Sequence, residues 1–434
     1  MTSQAPPLSE QLPASPRSLR AVVVDRAFPA LHHRNYRLFF FGQLVSLVGT
    51  WTQQVAQAWL VWTISHSPLM LGVITGAQSL PVLLFGLWGG VVADRVPKRT
   101  LLLVTQAVAM VLAAVLAGLT FTGVVSAREP ALGLVIVGIL ALALGTVQAF
   151  DAPARQAFVV ELVGKRHLLN AISLNSSIFN GARIVGPAIA GVLIATVGVP
   201  ICFAINSLSF LPVLGCLYFI DSRPRTVTLH TRGSLVGNLT ESLRFMWGQP
   251  LIRDLYLTVV VISLLVFSYS ALVPLFAAQV LHGGARTYSL LSICGGAGAV
   301  TAALSLAILR ERRHNRGGWI VAGSIVMSLG VAVFALSTNL LLSATSLVVV
   351  GFAGIGFLAR ANTALQTAVP DELRGRVMSM YILLLMGVAP IGAVQLGAIA
   401  HFIGAPHAVA AEALLAALLL AVLHTTHSAV RATA

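Results

Sequence analysis

The chain has 434 residues, of which 57% are hydrophobic and only 9% charged. A soluble domain carries roughly a quarter charged residues, so this composition excludes a soluble fold and indicates a polytopic, all-α membrane protein. The 27 Lys and Arg against 13 Asp and Glu give a formal net charge of +14, but the cations sit in short clusters between apolar runs. That is the pattern of loops held at an anionic membrane face, not of a nucleic-acid surface.

Residues 1–33 are polar, rich in Pro and Ser, and carry Arg17, Arg20 and Arg26 without the compact apolar core of a secretory signal. They are expected to form a cytoplasmic tail. The run Ala21–Val24 is too short to span a bilayer, which takes about twenty apolar residues.

Twelve segments meet that length. They fall at about 37–63, 69–93, 101–125, 131–152, 170–197, 199–220, 255–281, 286–309, 318–338, 340–362, 378–403 and 407–425, numbered here as helices 1 to 12. Turn-forming stretches divide them at Ser65-His66-Ser67-Pro68, Ala127–Pro130, Gly198-Val199-Pro200, His282-Gly283-Gly284 and Gly404-Ala405-Pro406. These loops and one near Asn339 hold only Arg128 and Arg286, while the alternate loops hold most of the cations. The positive-inside rule then places both termini in the cytoplasm and the protein in the cell inner (plasma) membrane.

An internal repeat divides the twelve helices into two sets of six. Gln156 to Lys165 recurs as Gln366 to Arg376 with one residue inserted, and Gly191 to Pro200 recurs as Gly397 to Pro406. The expected organisation is an N-terminal half over 34–220, a basic cytoplasmic linker over 221–250, a C-terminal half over 251–425 and a short tail over 426–434.

Between helices 2 and 3 lies Gly90-Val91-Val92-Ala93-Asp94-Arg95-Val96-Pro97-Lys98-Arg99. Gly90 and Asp94, four residues apart, share one helical face that a neighbouring helix can approach closely. This turn resembles motif A of the major facilitator superfamily, G-x-x-x-D-R/K-x-G-R-K/R, with Gly90, Asp94, Arg95, Lys98 and Arg99 in register and Pro97 in place of the usual Gly. The stretches His33–Phe39, Asn170–Gly191 and Val369–Arg376 are similar to the branch that contains the enterobactin exporter and drug-efflux proteins, the transmembrane secretion effectors. The resemblance covers nearly the whole chain, from about Phe28 to about His424.

The resemblance implies a major facilitator fold of twelve transmembrane helices in two pseudo-symmetric six-helix halves. It also implies that Asp94 faces Gly375 and Arg376 at the start of helix 11 when the cytoplasmic side is closed, with Arg95 and Arg99 pairing with Asp151. Such a cluster would act as a conformational latch; the alternative is that the cations only fix topology.

Polar residues inside spans need partners or water. Gln43, Ser46, Thr50, Gln53, Gln54 and Gln57 recur along helix 1 at three- and four-residue steps, and Asn170, Ser173, Ser177, Asn180 and Arg183 along helix 5. Either stripe lines a central cavity or hydrogen-bonds neighbouring helices. Arg183 is a cation deep within a span, costing at least a few kcal/mol to insert, and is expected to face water, an acid or an anionic substrate. Trp51 is a further cavity candidate, whereas Trp59 and Trp62 are expected in an interfacial belt.

No Asp or Glu lies at the centre of helices 1, 4, 7 or 10, so proton coupling, which the resemblance implies, has no evident carrier. His401 is a titratable but isolated group. Cys202, Cys216 and Cys294 lack disulfide or metal-ligand spacing, and no phosphate-binding loop or hydrolase motif is present. No cofactor, metal or enzymatic activity is expected. The leading expectation is a monomeric secondary transporter that exports an amphipathic molecule, drug-like or siderophore-like, by proton-coupled alternating access. Uptake or facilitated diffusion of a small metabolite, and a non-transporting membrane sensor or scaffold, are the alternatives.

Overall fold

The computed structural model describes residues 29–220, 248–308, 316–369, 371–426 and 430. The expected cytoplasmic tail up to Phe28, most of the 221–250 linker and nearly all of the C-terminal tail lie outside the described residues.

The described chain is helical, with no strand among the described residues. Twelve passes follow in order. They are α1 (Arg34–Ser65), α2 (Pro68–Arg95), α3 (Lys98–Phe121), α4 (Pro130–Gly164), α5 (Arg166–Thr196), α6 (Val199–Phe219), α7 (Pro250–Val280), α8 (Ala285–Ile308), α9 (Arg316–Leu336), α10 (Leu340–Ala368), α11 (Asp371–Gly387 with Ala389–Ile403) and α12 (Ala405–Thr426). Eleven are long and apolar enough to cross a membrane on their own. The exception is α1, whose glutamines lower its hydropathy.

Local sequence sets the helix ends. The Ser67 hydroxyl accepts from the Met70 amide ahead of Pro68, and Asn339 Oδ1 accepts from the amides of Leu341 and Leu342 at 2.9 and 3.1 Å. The sequence placed a long loop between helices 4 and 5. Instead α4 and α5 run almost continuously, broken only at Gly164, whose φ of 67° and ψ of 177° suit a residue without Cβ. Polar side chains on 153–169 hid the helical continuation.

The two halves repeat their turns in three dimensions. Gly198 and Gly404 both have positive φ, 93° and 85°, and each precedes a Pro that opens the next helix. His66 after α1 and His282 after α7 are the positive-φ non-glycine residues among the described residues. Close crossings also recur: Gly145 of α4 meets the Gln78 carbonyl of α2, and Gly298 of α8 meets the Val348 carbonyl of α10. In lipid, helices gain little from hydrophobic burial against one another, so such small-residue crossings, with van der Waals contact along them, hold each half together.

Two helices are interrupted. In α7 a π segment at Ile262–Val266 gives way to a 3₁₀ segment at Phe267–Leu272, and a second π segment closes it at Phe276–Val280. In α11 the break falls at Val388, before Pro390.

Candidate functional site

The halves meet along α2–α11 and α5–α8, tightly at one end only. Call the end that carries Arg34, Arg95, Lys98 and Arg99 the basic end, and the opposite one the far end. On α2, Gly72 approaches the Ala393 carbonyl and Gly397 of α11, Gly76 approaches Val394, and Leu83 packs on Gly387. The same face continues to Gly90, where a Cβ would meet open space, and to Asp94, which is exposed. On α5, Gly191 packs on Ser289 of α8, and Ile184 and the Arg183 carbonyl pack on Gly296. That face continues toward the basic end as Asn180, half-buried, and Ser177 and Ser173, both exposed. The halves therefore close at the far end and part at the basic end, and the polar α5 stripe lines the opening.

Arg183 sits at the closed apex of this opening. Its guanidinium carbon lies 5.8 Å from the centroid of the Trp51 ring on α1, and Phe179 meets the same ring edge-on at 5.6 Å. Tyr269 of α7, from the second half, lies in the same region. No described carboxylate lies within ion-pair reach of Arg183. The apex thus joins a cation to aromatic faces contributed by both halves, a surface suited to an anionic or aromatic group. Gln54 is exposed one turn beyond Trp51. On the far-end side the Trp59 and Tyr288 rings stack across the halves at 6.3 Å and 19°. Trp59 is thus part of the seal and Trp62, 3% exposed, is packed inside, so neither forms the expected interfacial belt.

Most of the α1 stripe serves a different purpose from a cavity wall. Gln43, Ser46, Gln53 and Gln57 are 2%, 2%, 5% and 7% exposed. Ser46 donates to Gln106 of α3 at 3.5 Å, Gln53 accepts from Asn206 of α6 at 2.7 Å, and Gln57 donates to Gln78 of α2 at 3.4 Å. Thr50 returns its hydroxyl to the Ser46 carbonyl at 2.8 Å. The stripe ties α1 to its own half, because an amide in hydrocarbon is satisfied most cheaply by a neighbouring amide or hydroxyl.

The expected pairing of Arg95 and Arg99 with Asp151 is absent among the described residues. Asp94 has no ion-pair partner among the described residues and Arg95 is exposed. Gly375 and Arg376 fall in the first segment of α11, but their side chains lie outside the described residues. Arg99 does not pair with Asp151. It donates to the Leu217 and Tyr218 carbonyls at the end of α6, both at 2.7 Å, where the helix leaves carbonyls without partners. Lys98 opens α3 beside it. Asp151, 5% exposed, accepts from Thr105 and Gln106 at 2.8 Å each and pairs with Arg155 one turn along at 3.2 Å.

Glu412 lies early in helix 12, off the centre of any span, and its position in the sequence alone gives it no role. It is 4% exposed, accepts from Gln395 of α11 at 3.2 Å, and lies 3.5 Å from the Ser268 hydroxyl of α7. Among the described residues no group of three or more His, Cys, Asp or Glu could hold a metal ion.

The family model for transmembrane secretion effectors matches residues 26–434. The chain belongs to this family of major facilitator transporters. It is a multi-pass membrane protein, and its relatives are transporters. The chain is 25% identical over 379 residues to the staphyloferrin A transporter of Staphylococcus aureus, covering 85% of this chain and 90% of the relative. It is 28% identical over 384 residues to the multidrug efflux pump Tap of Mycolicibacterium fortuitum, covering 85% and 89%. Among solved structures, a bacterial homologue of the iron transporter ferroportin superposes with a TM-score of 0.69 at 16% identity, covering 90% of this chain and 98% of that one. That likeness concerns the fold.

Proposed function

We propose that this transporter exports an amphipathic, anionic or aromatic small molecule from the cytoplasm by alternating access, driven by inward movement of protons. The basic end is the cytoplasmic face, as the positive-inside rule expects, and the described part of the first half begins there at α1. The structure then represents the state open to the cytoplasm and closed to the outside.

The observation that carries this reading is Arg183 over Trp51 at the closed apex, half-buried with no carboxylate to neutralise it. A membrane-embedded cation without an acidic partner is costly, and a substrate anion would offset that cost. Siderophore export fits this chemistry, since one relative is a staphyloferrin A transporter, and an aromatic drug-like anion would meet the same surface. The protein acts as a monomer in the bilayer, since each half-to-half interface lies within one chain.

Purified protein in proteoliposomes, loaded with the anionic dye anilinonaphthalene sulfonate and with the cationic dye ethidium in parallel, tests the proposal. Export of the anion should require a pH gradient of one sign and exceed that of ethidium. Flux of equal rate without a gradient would favour facilitated diffusion and sink the antiport reading.

A further inference from the structure

We propose that Glu412, with Gln395 and Ser268, forms a proton-binding site that controls the far-end seal through the broken segment of α7. It deepens the proton-coupled reading above by naming where the proton is held, and rests on it only for the direction of transport.

The site lies seven residues into α12, roughly 10 Å below the far end at 1.5 Å per residue. Among the described residues it faces no compensating charge from the elements packed against α12. On α7, Arg253 and Asp254 pair with each other at 3.2 Å, some fifteen residues or roughly 20 Å from Ser268. Tyr256 donates to the Val377 carbonyl, and the Tyr269 ring meets Phe334 edge-on. Between Gly317 and Leu336, α9 carries no titratable residue. On α11, Tyr381 lies near the Leu358 carbonyl and His401 is exposed. On α12 itself, His407 is exposed and His424 lies three turns away. The carboxyl meets one amide, of Gln395, and one hydroxyl, of Ser268, both neutral.

The hydrogen bonds fix what protonation does. Ser268 has one hydroxyl hydrogen and two acceptors within reach, the Leu264 carbonyl at 3.1 Å and Glu412 at 3.5 Å. When Glu412 is protonated, its O–H donates to Ser268, Ser268 donates to Leu264, and Gln395 donates to the second carboxyl oxygen. Every group is then satisfied and the site is neutral. When the proton leaves, the carboxylate competes for the Ser268 hydrogen, and a buried anion remains with one amide to solvate it, which costs several kcal/mol in such surroundings.

Leu264 lies within the π segment of α7, and its carbonyl is the atom that Gly392 of α11 packs against. Ser263, in the same segment, donates to the Leu385 carbonyl of α11 at 2.6 Å. One turn further along α11, Ala393 and Gly397 form the seal with Gly72 and Pro68 of α2. Losing the proton therefore loosens the α7–α11 crossing beneath the seal, and parting the seal admits the water that the anion requires. Taking up a proton from outside restores the neutral, closed arrangement seen here. The step is a protonation of a carboxylate to a carboxylic acid and needs no other reactant.

The test uses the full chain with Cys202, Cys216 and Cys294 replaced by Ala and spin labels on cysteines at Arg128 and Phe402, exposed far-end positions in opposite halves. In nanodiscs without substrate, the distance between labels should lengthen as pH rises from about pH 5.5 to about pH 8.5, a window wide enough to titrate a carboxyl group. Glu412→Gln should keep the short distance at both, its pH 5.5 spectrum showing that it folds. Ser268→Ala and Gln395→Leu should move the transition midpoint by more than half a pH unit. A wild type with no pH-dependent change, a Glu412→Gln protein that retains it, or an unmoved midpoint in both other variants would each overturn the assignment. If the distance change behaves as expected while dye flux ignores the pH gradient, the antiport reading fails and the Glu412 site stands.

Discussion

Arg183 of α5 lies over the Trp51 ring of α1, its guanidinium carbon 5.8 Å from the ring centroid, inside the first half and at the point where that half meets α8. The pair fixes a long, flexible cation against a rigid aromatic plate. A cation–π contact of this kind is worth about 0.5–2 kcal/mol, depending on how far it is desolvated.

Trp51→Ala should therefore weaken export of an anionic dye about three- to tenfold through a raised KM, while Trp51→Phe keeps most of it. Arg183→Ala should remove the preference for anions over ethidium altogether. Dye competition in proteoliposomes measures both, and an unchanged anion preference in Arg183→Ala would remove Arg183 from the site.

Gly72 allows the α2 backbone to lie against the Ala393 carbonyl of α11, where a Cβ has no room. Gly72→Ala should push the far end open and raise labelling of a cysteine placed at Ser289, which is 4% exposed, severalfold with a membrane-impermeant maleimide. Gly145→Ala meets the Gln78 carbonyl within a single half. It should lower thermal stability without raising that labelling.

The Asp151 carboxylate serves two donors at 2.8 Å from α3 and Arg155 on its own helix. In Asp151→Asn one oxygen becomes an amide nitrogen that meets donors rather than acceptors. The expected loss is about 1–3 kcal/mol, seen as a lower melting temperature in detergent, with the Arg183-dependent anion preference intact.

The segment just before α1 is held to the start of α5 by a 2.8 Å contact between His33 Nε2 and His167 Nδ1, beside the Ala30 amide donating to Asn170 at 3.1 Å. Partial burial, then the neighbouring His167 and His32, lower the His33 pKa. The folded state thus favours the neutral ring, and its contribution is present above the ordinary histidine range and lost as pH falls through the lowered value. Amide exchange over residues 30–36, corrected for intrinsic rates, should accelerate between about pH 7.5 and about pH 5. His33→Gln should abolish that dependence.

The twelve spans, the repeat and the family were legible because bilayer thickness demands long apolar runs and because each half reuses its turns, Gly198 with Pro200 and Gly404 with Pro406. The meaning of the α1 stripe was not. A helical period shows that Gln43, Gln53 and Gln57 share a face, but the direction of that face is set by where α2, α3 and α6 pack. Arg183 was found from cost alone, since few structural explanations suit a cation deep in a span. Glu412 escaped because its importance depends on the break in α7, whose sequence offers no proline or glycine at Ile262–Val266 to announce it. The Asp94 contact that the resemblance implies is expected when the cytoplasmic side is closed, and no sequence signal says which conformation the chain adopts.

The glutamine-rich α1 also bears on synthesis. Among the described spans it comes first in chain order and is the one least able to enter lipid on its own. Gln78 follows Gln57 by 21 residues, Gln106 follows Ser46 by 60, and Asn206 follows Gln53 by 153. Until those partners emerge, the insertion machinery must shelter the amides of α1, so the first half assembles around its least stable member rather than upon it.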